Sequence, residues 1–530
     1  MTRAQSAIEM VVRERARVHP DAVWLAYEDQ TVTWAEVLSY ANRAANGWLE
    51  LGVRPADRVA ILLGNCPEFI WSYLGLLFMG AGPVPVNTAQ RGVTLHHILA
   101  DSGARAAVVA DSLRSTFDQA RADCPDLEHA VVVGGPAGGG IDWDIDRLLS
   151  APDTDPVIDV ADAPAAAAML YTSGTTGPPK GVVTSSYDAS PIGVLLGAAG
   201  VQPGETMYTP LPLFHGNALY VSMIGSMVLD ARFALAERFS ASRFFDDCRR
   251  FDAVEFNALG GMISILLKQP VRPDDADNPV RTVLSAGCPP DRWEEFERRF
   301  GLRLVEWFGM VDAPGILLNT EGRVGSMGTP IAGVEFAVVD DDDEPVPVGH
   351  TGQLVFRHPQ GQLTHYHGLP DATETAYRGG WFHTGDLASQ DADGFYYYKG
   401  RKKESIRRLG ENISAWEIET VVNAHPAVQE SAAHAVPSEL GEDEVKLVVV
   451  PKPGARVSPE ALTEFCEGKV ARYAVPRYVE IVDELQKTGT QRVQYGVLKE
   501  RGITPATWDR LDTDGTAGSP AGATAKEQHA

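Results

Sequence analysis

From Met1 to about Pro156, amphipathic stretches alternate with short β-branched runs. Apolar positions at helical spacing predict a helix over Trp34–Leu51, and residues 58–63, 106–110 and 130–134 read as strands. Strand and helix alternating at this spacing predict a parallel α/β sheet. Residues 151–168, rich in Pro, Asp and Ala, read equally well as a linker, an exposed crossover or a plain surface loop. After Gly181 the alternation resumes, with helices expected over 242–251 and 291–300 and strands over Thr282–Ala286 and 303–307. Residues 333–339, the acidic turn 340–344 and Gly352–Arg357 read instead as antiparallel hairpin material, the mark of a smaller β-rich subdomain.

A second boundary falls near 400–403. Residues 1–400 are thus expected to form a large N-terminal domain of α/β-layered subdomains plus the β-rich one, an α/β fold class overall. Residues 401–512 are expected to form a small α+β domain: helix Ala415–Asn423, strand 444–450, helix 459–469 and a closing strand at 478–482. The tail 513–530 is small, polar and aperiodic, and is expected to be disordered.

Composition removes several functions. Asp+Glu of 71 against Lys+Arg of 46 give a net charge of −25, and so acidic a surface repels a phosphate backbone, so no nucleic-acid partner is expected. Cys66, Cys124, Cys248, Cys288 and Cys466 are scattered with no CxxC, which favours a reducing compartment over a disulfide framework or a thiolate metal cluster. The first residues lack the apolar core of a signal peptide, and no apolar run approaches the roughly 18 residues of a membrane span. A cytoplasmic protein acting on a small molecule, with no membrane partner, is expected; its oligomeric state is not legible.

The most informative segment is YTSGTTGPPKGVV at 171–183. Thr172, Ser173, Thr175 and Thr176 lie among Gly174 and Gly177, and Lys180 follows. Small residues let backbone N–H groups approach an anion, hydroxyls add donors and the lysine adds charge, so these are the parts of a triphosphate cradle. The spacing is not that of a Walker A loop. Alone, a Gly/Thr-rich turn between strands is equally a connector. His365 and His367 resemble a metal pair, but no third ligand has suitable spacing and zinc is not expected.

The loop resembles the signature of the adenylate-forming superfamily of acyl-CoA synthetases, peptide-synthetase adenylation domains and luciferases. Further motifs arrive in that superfamily's order: LPLFHG from Leu211, SAGCP from Ser285, WFGMVD from Trp307, GSMGTP from Gly325, WFHTGDL from Trp381 and GRKKESIRRLGENI from Gly400. The resemblance spans nearly the whole chain. It implies ATP as a substrate, magnesium, CoA as a possible acceptor, and a small domain that swings between two half-reactions. Gly287 and Phe308, with Gly309 after them, would hold adenine; Asp386 would accept the ribose hydroxyls; Arg401 would reach ribose or phosphate. Lys403 matches the hinge position, Gly410 the passage for a pantetheine thiol, and Phe214 and His215 the border of the substrate pocket, which is expected to draw on 215–223 and 256–263. For His215 a packed core residue is the equal alternative.

Two positions depart from the superfamily's pattern. Where Thr-Glu is usual, Val311 and Asp312 stand, so the hydroxyl is lost while Asp312, with Thr175, keeps a hard oxygen for magnesium on a shorter stem. Near the C-terminus Arg492 takes the place of the adenylation lysine and Gln491 that of a glycine; Lys487 substitutes only if the loop shifts. Both altered positions are ones the superfamily uses on the carboxylate, while the nucleotide residues are intact. Three readings follow: an acyl- or aryl-CoA ligase, the leading one; an ATP-dependent diazotase coupling nitrite to an aromatic amine in secondary metabolism; and a catalytically weak AMP-binding homologue.

Overall fold

The structure, a computed structural model, describes residues 6–158, 167–172, 178–184, 190–331, 333–401, 406–439, 441–486 and 493–512. Helix Trp34–Leu51 begins where Thr33 and Glu36 cap each other's backbone N–H groups, and it stops at Gly52, whose φ of 110° suits glycine. Its apolar stripe packs on helix Pro67–Met79, which is apolar on nearly every side and buried along its length. Gly75 sets how closely they meet: a Cβ there would lie 2.5 Å from the Cβ of Ala44 and 2.8 Å from the Ala45 nitrogen.

Two sheets sandwich this helix pair. One is all parallel, in the order Gly82–Pro85, Arg58–Leu62, Ala104–Ala110, His129–Val133, Trp143–Asp144. The other has nine strands: Thr329–Pro330, Leu317–Asn319, Arg303–Phe308, Thr282–Ala286, Ala253–Leu259, Thr206–Thr209, Arg232–Leu235, Val23–Tyr27 and Gln30–Thr33. It is parallel through its middle and antiparallel at both edges. Trp48 and Leu74 of the helices share one core with Val59 and Ile61 of the first sheet and Leu25 and Phe233 of the second.

The β-rich subdomain is four antiparallel strands, Glu335–Val339, Gly352–Arg357, Phe382–Gln390 and Tyr396–Arg401. A three-stranded ribbon, Thr364–Tyr366, Lys180–Thr184 and Met169–Thr172, joins it to the phosphate-loop region. The small C-terminal domain has its own core, with Ile418, Val422, Leu447, Val449, Leu462 and Val479 buried together. Among the described residues no helix is long and apolar enough to cross a membrane.

Three expectations change. Helix Pro459–Cys466 ends before Lys469, because Glu467 leaves helical geometry and Gly468 takes a φ of 73°. The strand Tyr478–Ile481 does not close the domain: helix Tyr495–Arg501 follows, and Trp508–Asp509 pairs beside the strand. The strand Val428–Pro437 escaped the pattern because Gln429, Glu430 and His434 interrupt its apolar residues. The described part of 151–168 is anchored, since Asn42 and Asn46 donate to the carbonyls of Pro152, Asp153 and Thr154.

Gly75→Ala is expected to overpack the helix crossing at a cost of about 1–3 kcal/mol and to lower the melting temperature by about 2–4 °C. Gly197→Ala, on the exposed face of helix Ser190–Ala199 with nothing within 4 Å of the added carbon, is the control and is expected to melt at or slightly above the wild type. Equal melting of all three proteins would contradict this account.

Candidate active site

The carboxyl ends of the parallel strands open into a cleft of about 850 Å³, roofed by the small domain. Thr172, Phe214, His215, Gly287, Phe308, Gly309, Val311, Asp312, Asp386 and Gly410 all line it, so one cavity collects residues spread over most of the chain. Glycines make the approach possible. A Cβ on Gly260 would lie 2.0 Å from the Gly287 carbonyl oxygen, one on Gly309 2.7 Å from the Trp307 ring, and one on Gly216 2.7 Å from a Val311 methyl. Val311 therefore packs as an apolar wall against the backbone after His215.

Asp312 is fixed on two sides. Its Oδ1 accepts from the Thr172 hydroxyl at 3.2 Å and the Tyr366 hydroxyl at 2.8 Å, and its backbone carbonyl accepts from the Thr364 hydroxyl. Lys180 does not line the cleft; its Nζ lies 4.7 Å from the centre of the Tyr366 ring, a cation–π contact one residue away from Asp312. Asp386 is buried on the strand Phe382–Gln390, paired in register with Arg401, and its N–H donates to the Thr384 hydroxyl.

The small domain closes the cleft through the hairpin Ile406–Arg408 and Glu411–Ile413. Gly410 sits at its tip with a φ of 80°, its N–H donates to Glu442 at 3.0 Å, and a Cβ there would lie 2.6 Å from the Leu259 side chain. Glu411 Oε1 lies 2.8 Å from His215 Nε2, a bond that spans the two domains. His215 is thus neither a packed core residue nor buried, since its side chain keeps 41% exposure.

Sequence reasoning missed several cleft residues. Glu306 accepts the N–H groups of Gly287 and Cys288, and burial pushes its carboxyl up to about 8. Glu417, also lining the cleft, is pushed up to about 7 by burial. Tyr366 lay between the two histidines weighed as a metal pair; Glu411 lay inside the GRKKESIRRLGENI run and its neighbour Gly410 drew the attention. His367 instead stands beside the Arg58 guanidinium at 3.3 Å, and no metal-binding group of three His, Cys, Asp or Glu side chains occurs among the described residues. Of the expected pocket runs, only His215 and Gly216 of 215–223 and Gly260 of 256–263 line the cleft; Leu219, Met223, Phe256 and Ile263 are core. Ser173, Gly174, Thr175, Thr176, Gly177, Lys403, Lys487 and Arg492, and the side chain of Arg401, lie outside the described residues.

Comparison with known proteins identifies the family. Residues 12–366 match the family described as AMP-binding enzyme, and residues 417–492 match the AMP-binding enzyme C-terminal domain. Crotonobetaine/carnitine–CoA ligase of Salmonella agona is 30% identical over 499 residues, covering 90% of this chain and 96% of that one. The o-succinylbenzoate CoA synthetase of Bacillus subtilis, bound with a CoA product analogue, superposes with a TM-score of 0.79 at 26% identity, covering 93% of this chain and 98% of that one. The same synthetase holding its acyl-adenylate superposes at 0.64, again at 26% identity, covering 92% and 97%.

The buried Glu306 carboxyl gives a pH signature. The unfolded chain releases this proton near the ordinary 4.5 and the folded protein keeps it to about 8, so stability falls as pH rises through that window. Glu306→Gln cannot titrate, so its melting temperature relative to wild type is expected to rise between about pH 5 and about pH 8. Parallel profiles for the two proteins would refute the burial assignment.

Proposed function

The chain belongs to the AMP-binding enzymes, and from that premise we propose that it is an acyl- or aryl-CoA ligase that activates a carboxylate as an AMP anhydride and then passes the acyl group to CoA. One observation carries the reading: Asp312, held by Thr172 and Tyr366, shares a single cleft with Asp386, Phe308, Gly287 and the Gly410 hairpin. Phe308 and Gly287 offer adenine a ring face and an open backbone turn. Asp386, an acceptor-only carboxylate, suits a vicinal diol. The ribbon carrying Thr172 and Lys180 leads into and out of the Ser173–Gly177 loop that would receive the phosphates, with Arg401 reaching ribose or phosphate.

Asp312 suits magnesium: among the described residues both of its side-chain bonds fall on Oδ1, so Oδ2 would be the oxygen offered to a hard cation, and Thr175 would add a second. When bound it would neutralise charge on the phosphates. In the first half-reaction the carboxylate oxygen attacks the α-phosphorus, pyrophosphate leaves, and Arg492 stabilises the negative charge that develops between them. In the second the small domain turns about Lys403, with the boundary at 400–401, and the thiol enters beside Gly410 while Glu411 holds His215 out of its way. The better match to the synthetase carrying a CoA product analogue supports a domain arrangement suited to this second step.

Ligases of carboxylates among the relatives favour a carboxylate over nitrite as the activated oxyanion. The free Cys66, Cys124, Cys248, Cys288 and Cys466 support placement in the cytoplasm.

ATP–pyrophosphate exchange over a panel of carboxylates, followed by AMP release with CoA, is expected to give turnover with at least one acid; exchange with nitrite alone, or none with any acid, would overturn the ligase reading. Asp386→Ala is expected to weaken ATP binding about ten- to a hundred-fold by calorimetry. Arg492→Ala is expected to reduce anhydride formation with ATP affinity intact, and Lys487→Ala to do little. The reverse ranking of those two variants would show that the lysine, not Arg492, serves adenylation.

A further inference from the structure

One face of the three-stranded ribbon carries Thr172, Lys180 and Tyr366 together. In its register Thr172 lies directly opposite Lys180, and Tyr366 lies directly opposite Val182 on the other side of the same central strand. Opposed residues share a face, and so do residues two apart on a strand, so all three side chains leave the ribbon on the same side. Thr172 ends the strand that enters the Ser173–Gly177 run, and Lys180 begins the strand that leaves it. Both stems of that run therefore stand on one surface with one tyrosine.

All three are engaged there. The Tyr366 hydroxyl donates to Asp312 Oδ1 at 2.8 Å, and the Thr172 hydroxyl donates to the same oxygen at 3.2 Å. Lys180 Nζ sits 4.7 Å from the centre of the Tyr366 ring. One phenol is thus used twice: its hydroxyl holds a carboxylate and its π-face holds a cation. The tyrosine is itself fixed, since its N–H donates to the Thr373 hydroxyl at 3.0 Å. Thr364, two residues earlier on the same strand and face, donates its hydroxyl to the Asp312 backbone carbonyl. The strand Thr364–Tyr366 therefore grips Asp312 by side chain and backbone alike.

Resting on the nucleotide half of the ligase reading, we propose that Tyr366 is a positioning residue that makes the stems of the phosphate loop and the magnesium-binding carboxylate one unit: its hydroxyl orients Asp312 and its ring seats Lys180. A carboxylate bonded through one oxygen to two hydroxyls is held against rotation about its stem, so the ordering is complete before a ligand arrives. A lysine has a flexible four-carbon stem, and an aromatic face under its ammonium removes part of that freedom in advance. The two services are separable, because phenylalanine keeps the ring and drops the hydroxyl, whereas leucine drops both.

The test uses the full-length protein and calorimetric ATP binding, measured over a magnesium titration and again in EDTA. Tyr366→Phe is expected to raise the magnesium concentration for half-maximal tight binding about ten-fold, while ATP affinity in EDTA stays within about two-fold of wild type. Tyr366→Leu is expected to show the same magnesium defect and also to weaken ATP binding in EDTA about three- to ten-fold, to the level of Lys180→Ala. Adding Lys180→Ala to Tyr366→Leu is expected to cost less than about two-fold more, because the lysine has already lost its seat. A tyrosine that only supported the fold would lower both affinities together in the Phe and Leu variants, with no such split. Tyr366→Phe with wild-type magnesium dependence, or an equal cost of Lys180→Ala in the wild-type and Tyr366→Leu backgrounds, overturns the proposal. If Tyr366→Leu fails to fold, Tyr366→Phe decides alone. A wild type that binds no ATP under either condition overturns the nucleotide reading and this assignment with it; a wild type that binds magnesium-ATP but is indifferent to Tyr366→Phe overturns the assignment alone.

Discussion

Three neighbouring parallel strands end at the same level, and at that level backbone must meet backbone. The register that pairs Asn257 with Leu284 and Ser285 with Glu306 brings Gly260, Gly287 and Gly309 to one edge. A side chain on Gly260 would strike the Gly287 carbonyl, and the Gly287 and Cys288 N–H groups turn inward to the Glu306 carboxyl. The result is an open wall between the Gly287 turn and Phe308, the place proposed for the adenine base. Its cost is a carboxyl held in the interior, which those inward N–H groups, the Ser285 side chain and a nearby Arg407 moderate.

The small domain rests on this edge without merging into it. Its apolar core is its own, with Ala89 of the large domain packed against it, and the two domains also meet through polar contacts and close backbone approaches. Glu411 reaches His215, Tyr473 receives a hydrogen bond from Asn87, Gly410 abuts Leu259, and a Cβ on Gly92 would lie 2.8 Å from the Lys469 carbonyl oxygen. Contacts of this kind are specific in orientation and modest in energy, so they suit a domain that docks and releases. Glu417 belongs to the same junction, between Thr94 of one domain and the Ala471 backbone of the other.

Charge is distributed unevenly. The chain as a whole is strongly acidic, with a net charge of −25, yet its nucleotide substrate is an anion. Arg407 and Lys499 of the small domain line the cleft, and Lys180 stands over Tyr366 at its margin. Local cations in a partly closed cavity outweigh a diffuse negative surface that salt screens beyond about 10 Å. Glu306 and Glu417 also line the cleft, and burial keeps each protonated to higher pH than an exposed carboxyl, which lessens the negative charge they bring there.

Local pattern determined much of this protein. The spacing of apolar residues was enough for helix Trp34–Leu51, helix Ala415–Asn423 and the central parallel strands, because each buries one face whose period is written in the chain. The ordered motifs were enough for the family, and they pointed to Gly287, Asp312 and Asp386, which the structure brings to one cleft. The sequence did not disclose that Tyr366 and Thr172 converge on Asp312, that Glu411 meets His215 across 196 positions, or that the buried Glu255 carboxylate has no hydrogen-bond partner among the described residues. Those facts arise from which strands pair and how two domains dock, and no periodicity along one segment records what a distant segment brings to face it.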